Sequence, residues 1–103
     1  MKYRNTLRVL NSIGKENFIR FYEDYKKYYL SNNKKADREI LAKKLLNDNI
    51  KAQKISGQYT RINCAARIFE AKAEVEVLNI IINSRVSEEV KYLAKEILQK
   101  YEE

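Results

Sequence analysis

A chain of 103 residues with no proline, two glycines and 34% charged residues is typical of a single helical domain, because it has few turn-forming residues. The absence of histidine and the single cysteine, Cys64, exclude an intrachain disulfide, zinc sites of the cysteine and histidine kind, and catalysis by histidine. The net charge of +7 favours a polyanionic partner, and no apolar run is long enough to cross a membrane.

The first part of the sequence predicts two helices. The segment Tyr3 to Asn11 is short and mixed in character, and Gly14 marks a break after it. From Lys15 to Leu30, large aromatic residues recur at three- and four-residue steps, which places them on one face of a second helix. These residues are Phe18, Phe21, Tyr22, Tyr25, Tyr28 and Tyr29.

A polar linker, "SNNKKAD", separates the aromatic helix from a third one. Asn33 or Asp37 is suited to cap this helix, whose apolar pattern runs to Leu46 before "NDN" interrupts it at residues 47–49. Asp48 or Asn49 is then suited to cap a new helix after this interruption.

The last part of the sequence predicts a long segment from Gln58 to about Asn83 and a C-terminal helix. Residues 49–83 are compatible with one bent helix or with two. The stretch "VLNIII" is apolar on every side, and it favours a buried helix over a strand because no second strand-like run is available to pair with it. Ser87 is a natural N-cap for the final amphipathic helix. We therefore expect an all-α domain, residues 1–103, with a compact bundle of about five helices and no sheet.

The charge is unevenly distributed along the chain. Residues 1–72 contain 17 Lys and Arg against 7 Asp and Glu, whereas residues 73–103 contain 4 against 7. This asymmetry predicts a positive body that attracts a polyanion. An alternative is that the lysines only keep the surface soluble.

One stretch, "KISGQYTRINCAARIF", suggests a site for nucleic acid. Residues 49–69 contain no acid, and a turn at Gly57 followed by a polar helix start has the layout of a helix-turn-helix element. The residue four positions before Gly57 is Gln53, where such elements prefer a small side chain, and the competing interpretation is an ordinary bend in a packed segment. The predicted nucleic-acid-binding residues are Lys51, Lys54, Gln58, Tyr59, Thr60, Arg61, Asn63 and Arg67.

The aromatic helix suggests a second kind of site. Aromatic stripes at this spacing form either core or an interface, and tyrosine is enriched at interfaces, so this helix is a candidate surface for a protein partner or for stacked bases. The candidate interface residues are Tyr22, Tyr25, Lys26, Lys27, Tyr28 and Tyr29.

Catalysis has weaker support in the sequence. Glu70 and Glu74 are four residues apart and are the best candidates for a metal-dependent nuclease, but interleaved carboxylates of this kind are usually solvated members of ion pairs. We expect a cytoplasmic, non-enzymatic binding protein with a regulatory role and with no cofactor or metal. Its predicted partner is nucleic acid or, alternatively, a protein target, with no membrane contact and with a possible homodimer.

Overall fold

The structure is a computed structural model that describes residues 3–48 and 54–102. Within these ranges every secondary-structure element is a helix, so the prediction of an all-α fold is confirmed, although there are seven helices rather than about five. The helices are α1 (Tyr3–Ile13), α2 (Lys15–Arg20), α3 (Tyr22–Tyr29), α4 (Lys34–Asp48), α5 (Ile55–Glu70), α6 (Glu74–Ile82) and α7 (Glu88–Glu102).

The predicted aromatic helix is divided into α2 and α3. The two meet at Phe21, whose φ of −110° and ψ of 23° depart from helical geometry. Hydrogen bonds nevertheless continue across the junction, since the Phe21 amide donates to the Asn17 carbonyl at 3.1 Å and the Tyr25 amide donates to the Phe21 carbonyl at 2.9 Å. Phe21 therefore interrupts the regular helix while these backbone groups keep their hydrogen bonds.

Between Ile55 and Ile82 the chain forms two helices, α5 and α6, rather than one bent helix. The α5 helix ends in a Schellman motif, in which the Ala73 amide donates to the Ile68 carbonyl and the Lys72 amide donates to the Phe69 carbonyl, both at 3.0 Å. Lys72 has a positive φ of 55°. Glycine is the usual residue at this position, so nothing in the sequence signals the end of the helix.

The two C-terminal helices agree with their predictions. The stretch "VLNIII" lies in α6, where Val77, Leu78 and Ile81 are fully buried. Ser87 caps α7, because its Oγ accepts a hydrogen bond of 3.2 Å from the Val90 amide.

The α5 helix lies at the centre of the fold, packed against α1, α3, α4 and α6. Its buried residues meet a group of aromatic rings from α2 and α3. Phe18 contacts Tyr22 edge-on with ring centroids 5.4 Å apart, and Phe69 of α5 lies 5.5 Å from Tyr22. The radius of gyration is 13.1 Å, as expected for a compact globule of this length.

No helix in residues 3–48 or 54–102 is both long and apolar enough to cross a lipid bilayer.

Candidate nucleic-acid interface

The predicted nucleic-acid-binding residues do not form one surface, and Gln58 is the clearest exception. Its side chain is 3% exposed. Nε2 donates to the Lys54 carbonyl at 3.2 Å, and Oε1 accepts from Arg61 at 3.1 Å. Gln58 is therefore part of the interior, where its side chain is not exposed for the predicted contact with bases. Lys51 lies outside the described residues.

Tyr59 and Arg61 are half-buried on opposite flanks of α5. Two residues along a helix correspond to a rotation of about 200°, so their side chains cannot face one ligand together. The guanidinium of Arg38 in α4 lies over the Tyr59 ring, 5.4 Å from its centroid. Arg61 instead lines a cleft together with Asp48 of α4 and Leu93 of α7.

Thr60, Asn63 and Arg67 are all exposed and lie on one stripe of α5. They are separated by three and four residues, which is the spacing of neighbours on a helix surface. Ser56 extends this stripe by one turn toward the N-terminus, and exposed Lys54 comes directly before the helix. These residues are the part of the prediction that the structure brings together.

The predicted turn at Gly57 is absent. Gly57 lies in the first turn of α5, and a Cβ atom added there would meet nothing within 4 Å. Helix α4 ends at Asp48 and α5 begins at Ile55, so Gly57 lies inside α5 rather than between two helices. Because α5 is also flanked by α1 and α4, it does not protrude as the recognition helix of a helix-turn-helix element does.

The α1 helix borders the exposed stripe of α5. Leu7 lines a cleft with Asn79 and Ile80, so that flank of α1 faces α6. The helix against which α1 packs most extensively is α5. Ile13 at the end of α1 and Arg61 in the first half of α5 line one cleft.

The exposed side chains of these two helices form a surface that we name the α1/α5 face. It consists of Asn5, Arg8 and Ser12 of α1, and Ser56, Thr60, Asn63 and Arg67 of α5, with Lys54 at its edge. The α1 helix contains no acidic residue, and the only acid of α5 is its last residue, Glu70. The Glu70 carboxylate accepts a hydrogen bond of 2.6 Å from the Tyr29 hydroxyl. The face therefore combines cations with amide and hydroxyl groups, and the one carboxylate of α1 and α5, that of Glu70, lies at its end, three residues after Arg67.

The first turn of α5 adds to this electrostatic character. Lys54 occupies the N-cap position, no side chain caps the helix, and no acid lies in its first turn. Helices α2, α3, α4, α6 and α7 each have an acid in the first turn. A cation beside the positive end of a helix dipole is unfavourable, so α5 begins in an uncompensated positive potential.

The predicted aromatic interface is corrected by the burial of its tyrosines. Tyr22, Tyr25 and Tyr28 are 2%, 0% and 9% exposed, so their rings belong to the core. The hydroxyl of Tyr25 donates to Oδ1 of buried Asn17, and the Tyr22 hydroxyl pairs with that of Tyr101. Burial, as the largest cause, raises the pKa of both Tyr22 and Tyr25 well above the ordinary value for tyrosine.

The remaining members of that predicted interface are dispersed. Tyr29 is half-buried and stacks on Phe69 with centroids 5.7 Å apart. The ammonium of Lys26 lies 5.4 Å from the centre of the Tyr101 ring, whereas Lys27 is exposed. Tyr29 and Lys26 therefore contribute to packing between α3, α5 and α7, and the predicted interface does not present a stack of open rings.

The candidate nuclease carboxylates lie on different helices. Glu70 ends α5, whereas Glu74 begins α6 and has one buried oxygen without a hydrogen-bond partner among the described residues. Among residues 3–48 and 54–102, no three His, Cys, Asp or Glu residues are grouped so that they could hold a metal ion. The expected shared helix face of Glu70 and Glu74 is thus not present.

Comparison with protein families, with curated proteins and with solved structures finds no match to this chain.

Proposed function

We propose that this protein binds nucleic acid through the α1/α5 face and contacts mainly the sugar-phosphate backbone. The observation that carries the proposal is the composition of this face, where three cations, Arg8, Lys54 and Arg67, are exposed. Arg8 and Lys54 have no carboxylate within one turn of their own helices, and Arg67 has one, that of Glu70. An uncompensated positive surface attracts phosphate groups over a distance of about 8 to 10 Å at ordinary salt.

The neutral residues of the face support the same partner. Arginine and lysine, together with serine, threonine and asparagine, supply most protein contacts to phosphates and sugars. The face presents these residue types next to one another: Asn5, Ser12, Ser56, Thr60 and Asn63 surround the cations. A partner surface rich in anionic oxygens would pair with the cations and with the amide groups of Asn5 and Asn63, whereas the hydroxyls of Ser12 and Thr60 already donate to carbonyls of their own helices.

The alternative of a protein-binding regulator has less support from the structure. It relied on an exposed tyrosine-rich helix, and three of the tyrosines that it required are in the core. In the proposed regulatory role, this protein would bind the nucleic acid and compete with other proteins for the same stretch of backbone. The single cysteine remains consistent with the cytoplasmic setting that we expect for such a partner.

The test is fluorescence anisotropy with a labelled oligonucleotide over a series of salt concentrations. Binding to phosphates predicts that log affinity falls linearly with log salt concentration, by about 0.9 per phosphate contacted in duplex DNA. The double variant Arg8→Gln plus Arg67→Gln should lower the slope by about 1.8 and, at about 0.15 M salt, weaken binding about 30-fold.

A matched control removes the same charge elsewhere. Lys43 and Lys95 are exposed on α4 and α7, outside the α1/α5 face, so Lys43→Gln plus Lys95→Gln should leave the slope nearly unchanged. Circular dichroism would verify that both variants remain folded. Equal losses in the two variants would mean that net charge alone drives binding, and absence of binding by the unaltered protein at low salt would refute the proposed function.

A further inference from the structure

The α1/α5 face lacks the features that proteins use to hold single strands. Single-stranded nucleic acid is typically bound in a positive groove where bases stack on exposed aromatic rings. Among the described residues, the ring beside the stripe of α5 is that of Tyr59, which is half-buried and covered by Arg38. Tyr25 and Tyr28 are buried in the core. No open ring is therefore available on this face to stack a base.

The packing of α5 also opposes the reading of base edges in a major groove. This groove is about 12 Å wide and admits one helix, whose diameter with side chains is about 10 to 12 Å. Here α1 and α4 pack against α5, so the surface that approaches a partner is wider than one helix. Gln58, the residue best suited to a bidentate contact with adenine, faces the interior.

What the face does offer is cations on two neighbouring helices. Packed helices have axes about 8 to 10 Å apart, so Arg8 on α1 and Arg67 on α5 project from adjacent rows. Lys54 precedes Arg67 by 13 residues, which is about 20 Å along the helix. The cations thus extend both along α5 and across to α1.

A duplex matches such an arrangement better than a single strand does. It presents two rows of phosphates on a rigid frame, on either side of a minor groove that is about 6 Å wide in B-DNA and wider in duplex RNA. We infer that the partner of the α1/α5 face is a nucleic-acid duplex, held through the phosphates of both strands independently of sequence. This inference rests on the proposed function. The shared chemistry is the paired phosphate rows, which duplex DNA and duplex RNA both supply.

The experiment compares oligonucleotides of equal length by anisotropy at one salt concentration. The probes are two DNA duplexes of unrelated sequence, an RNA duplex, and the separated DNA strands. We expect at least one kind of duplex to bind about tenfold or more tightly than the single strands, and the two DNA duplexes to agree within about threefold, because well-placed base contacts would separate them by more than this. A preference for the DNA or for the RNA duplex would show which of the two supplies the paired phosphate rows, and it would support the inference.

The variant Tyr59→Leu provides a second readout. It removes the ring while keeping an apolar side chain next to Arg38, so affinity for both duplex and single strands should change less than about twofold if no base stacks there. Single strands that bind as tightly as duplexes, or a tenfold loss in Tyr59→Leu, would overturn the inference and leave the proposed function standing. If no probe binds at low salt, the proposed function itself fails.

Discussion

The guanidinium of Arg61 donates a hydrogen bond of 3.1 Å to the side-chain oxygen of Gln58, one turn earlier on α5. The same Gln58 side chain donates to the Lys54 carbonyl at the start of the helix. The sequence predicts that Gln58 and Arg61 contact bases, but in the structure they form hydrogen bonds within the protein. Their role is to secure the first turns of α5, which have no capping side chain.

Replacement of Gln58 by alanine should therefore reduce stability. The change leaves the Arg61 donor and the Lys54 carbonyl without this partner in a largely buried position, and we expect a loss of about 1 to 3 kcal/mol in the free energy of unfolding. Urea denaturation followed by circular dichroism measures this loss. The control Asn63→Ala removes an exposed amide from the same helix and should change stability by less than about 0.7 kcal/mol. Equal effects would show that Gln58 is not part of the interior.

The sequence predicts the helical class of the fold well because local patterns encode it. The Ser87 cap, the apolar α6 and the aromatic stripe each depend on residues close together in the chain. The break after α5 is different, since it places Lys72 in a left-handed conformation that glycine normally adopts. The division of the aromatic helix at Phe21 likewise depends on packing against other helices, which periodicity does not reveal.

For a related reason, the sequence predicts the residues of the candidate site on α5 but not those on α1. The absence of acids between Lys54 and Arg67 is visible in the sequence, and Lys54, Thr60 and Arg67 are all exposed. Arg8 is not among the predicted residues, because the contact of α1 with α5 joins segments far apart in the chain. The lack of any acid in α1 is the signal that could have found it.

The two glycines should respond to alanine in opposite directions. Gly14 joins α1 to α2 with a φ of +93°, so Gly14→Ala is strained by the backbone, although its Cβ would lie an ordinary 3.7 Å from the Asn17 Cβ. We expect it to cost about 1 to 3 kcal/mol of stability. Gly57 lies within a helix in open space, so Gly57→Ala should stabilise the protein by about 0.5 to 1 kcal/mol.

The comparison of these two variants by urea denaturation also tests the placement of Gly57. A loss of stability in Gly57→Ala would mean that the chain turns there in a conformation that alanine cannot adopt, as the helix-turn-helix interpretation requires. A gain would agree with Gly57 in the first turn of α5.

The variant Tyr25→Phe should isolate one polar contact inside the core. It keeps the fully buried ring and removes the hydroxyl that donates to Asn17. The expected cost is about 1 kcal/mol in the free energy of unfolding. Tyr92→Phe is the matched control, because Tyr92 is 63% exposed and loss of its hydroxyl should change stability by less than about 0.5 kcal/mol. A negligible effect at both positions would contradict the buried bond.

Stability should fall steeply in alkali because burial raises the pKa of Tyr22 and Tyr25. In the unfolded chain both phenols lose their protons near pH 10, whereas the folded protein keeps them neutral, so unfolding releases protons. Their contribution is complete below about pH 10 and is lost as pH rises above it, by about 2.7 kcal/mol per pH unit for two protons. Urea midpoints across this range, with tyrosinate absorbance as the readout of ionisation, measure the slope.

Tyr25→Phe gives this slope its own control. One of the two buried phenols is then absent, and the decline should be reduced to about 1.4 kcal/mol per pH unit, the value for a single proton. Tyr92→Phe should reduce the slope less than Tyr25→Phe does, because Tyr92 is largely exposed and a surface hydrogen bond to Glu96, rather than burial, is the largest cause that raises its pKa. If folded protein shows tyrosinate absorbance from every tyrosine near pH 10 without unfolding, then Tyr22 and Tyr25 are open to solvent, and their assignment to the core is wrong.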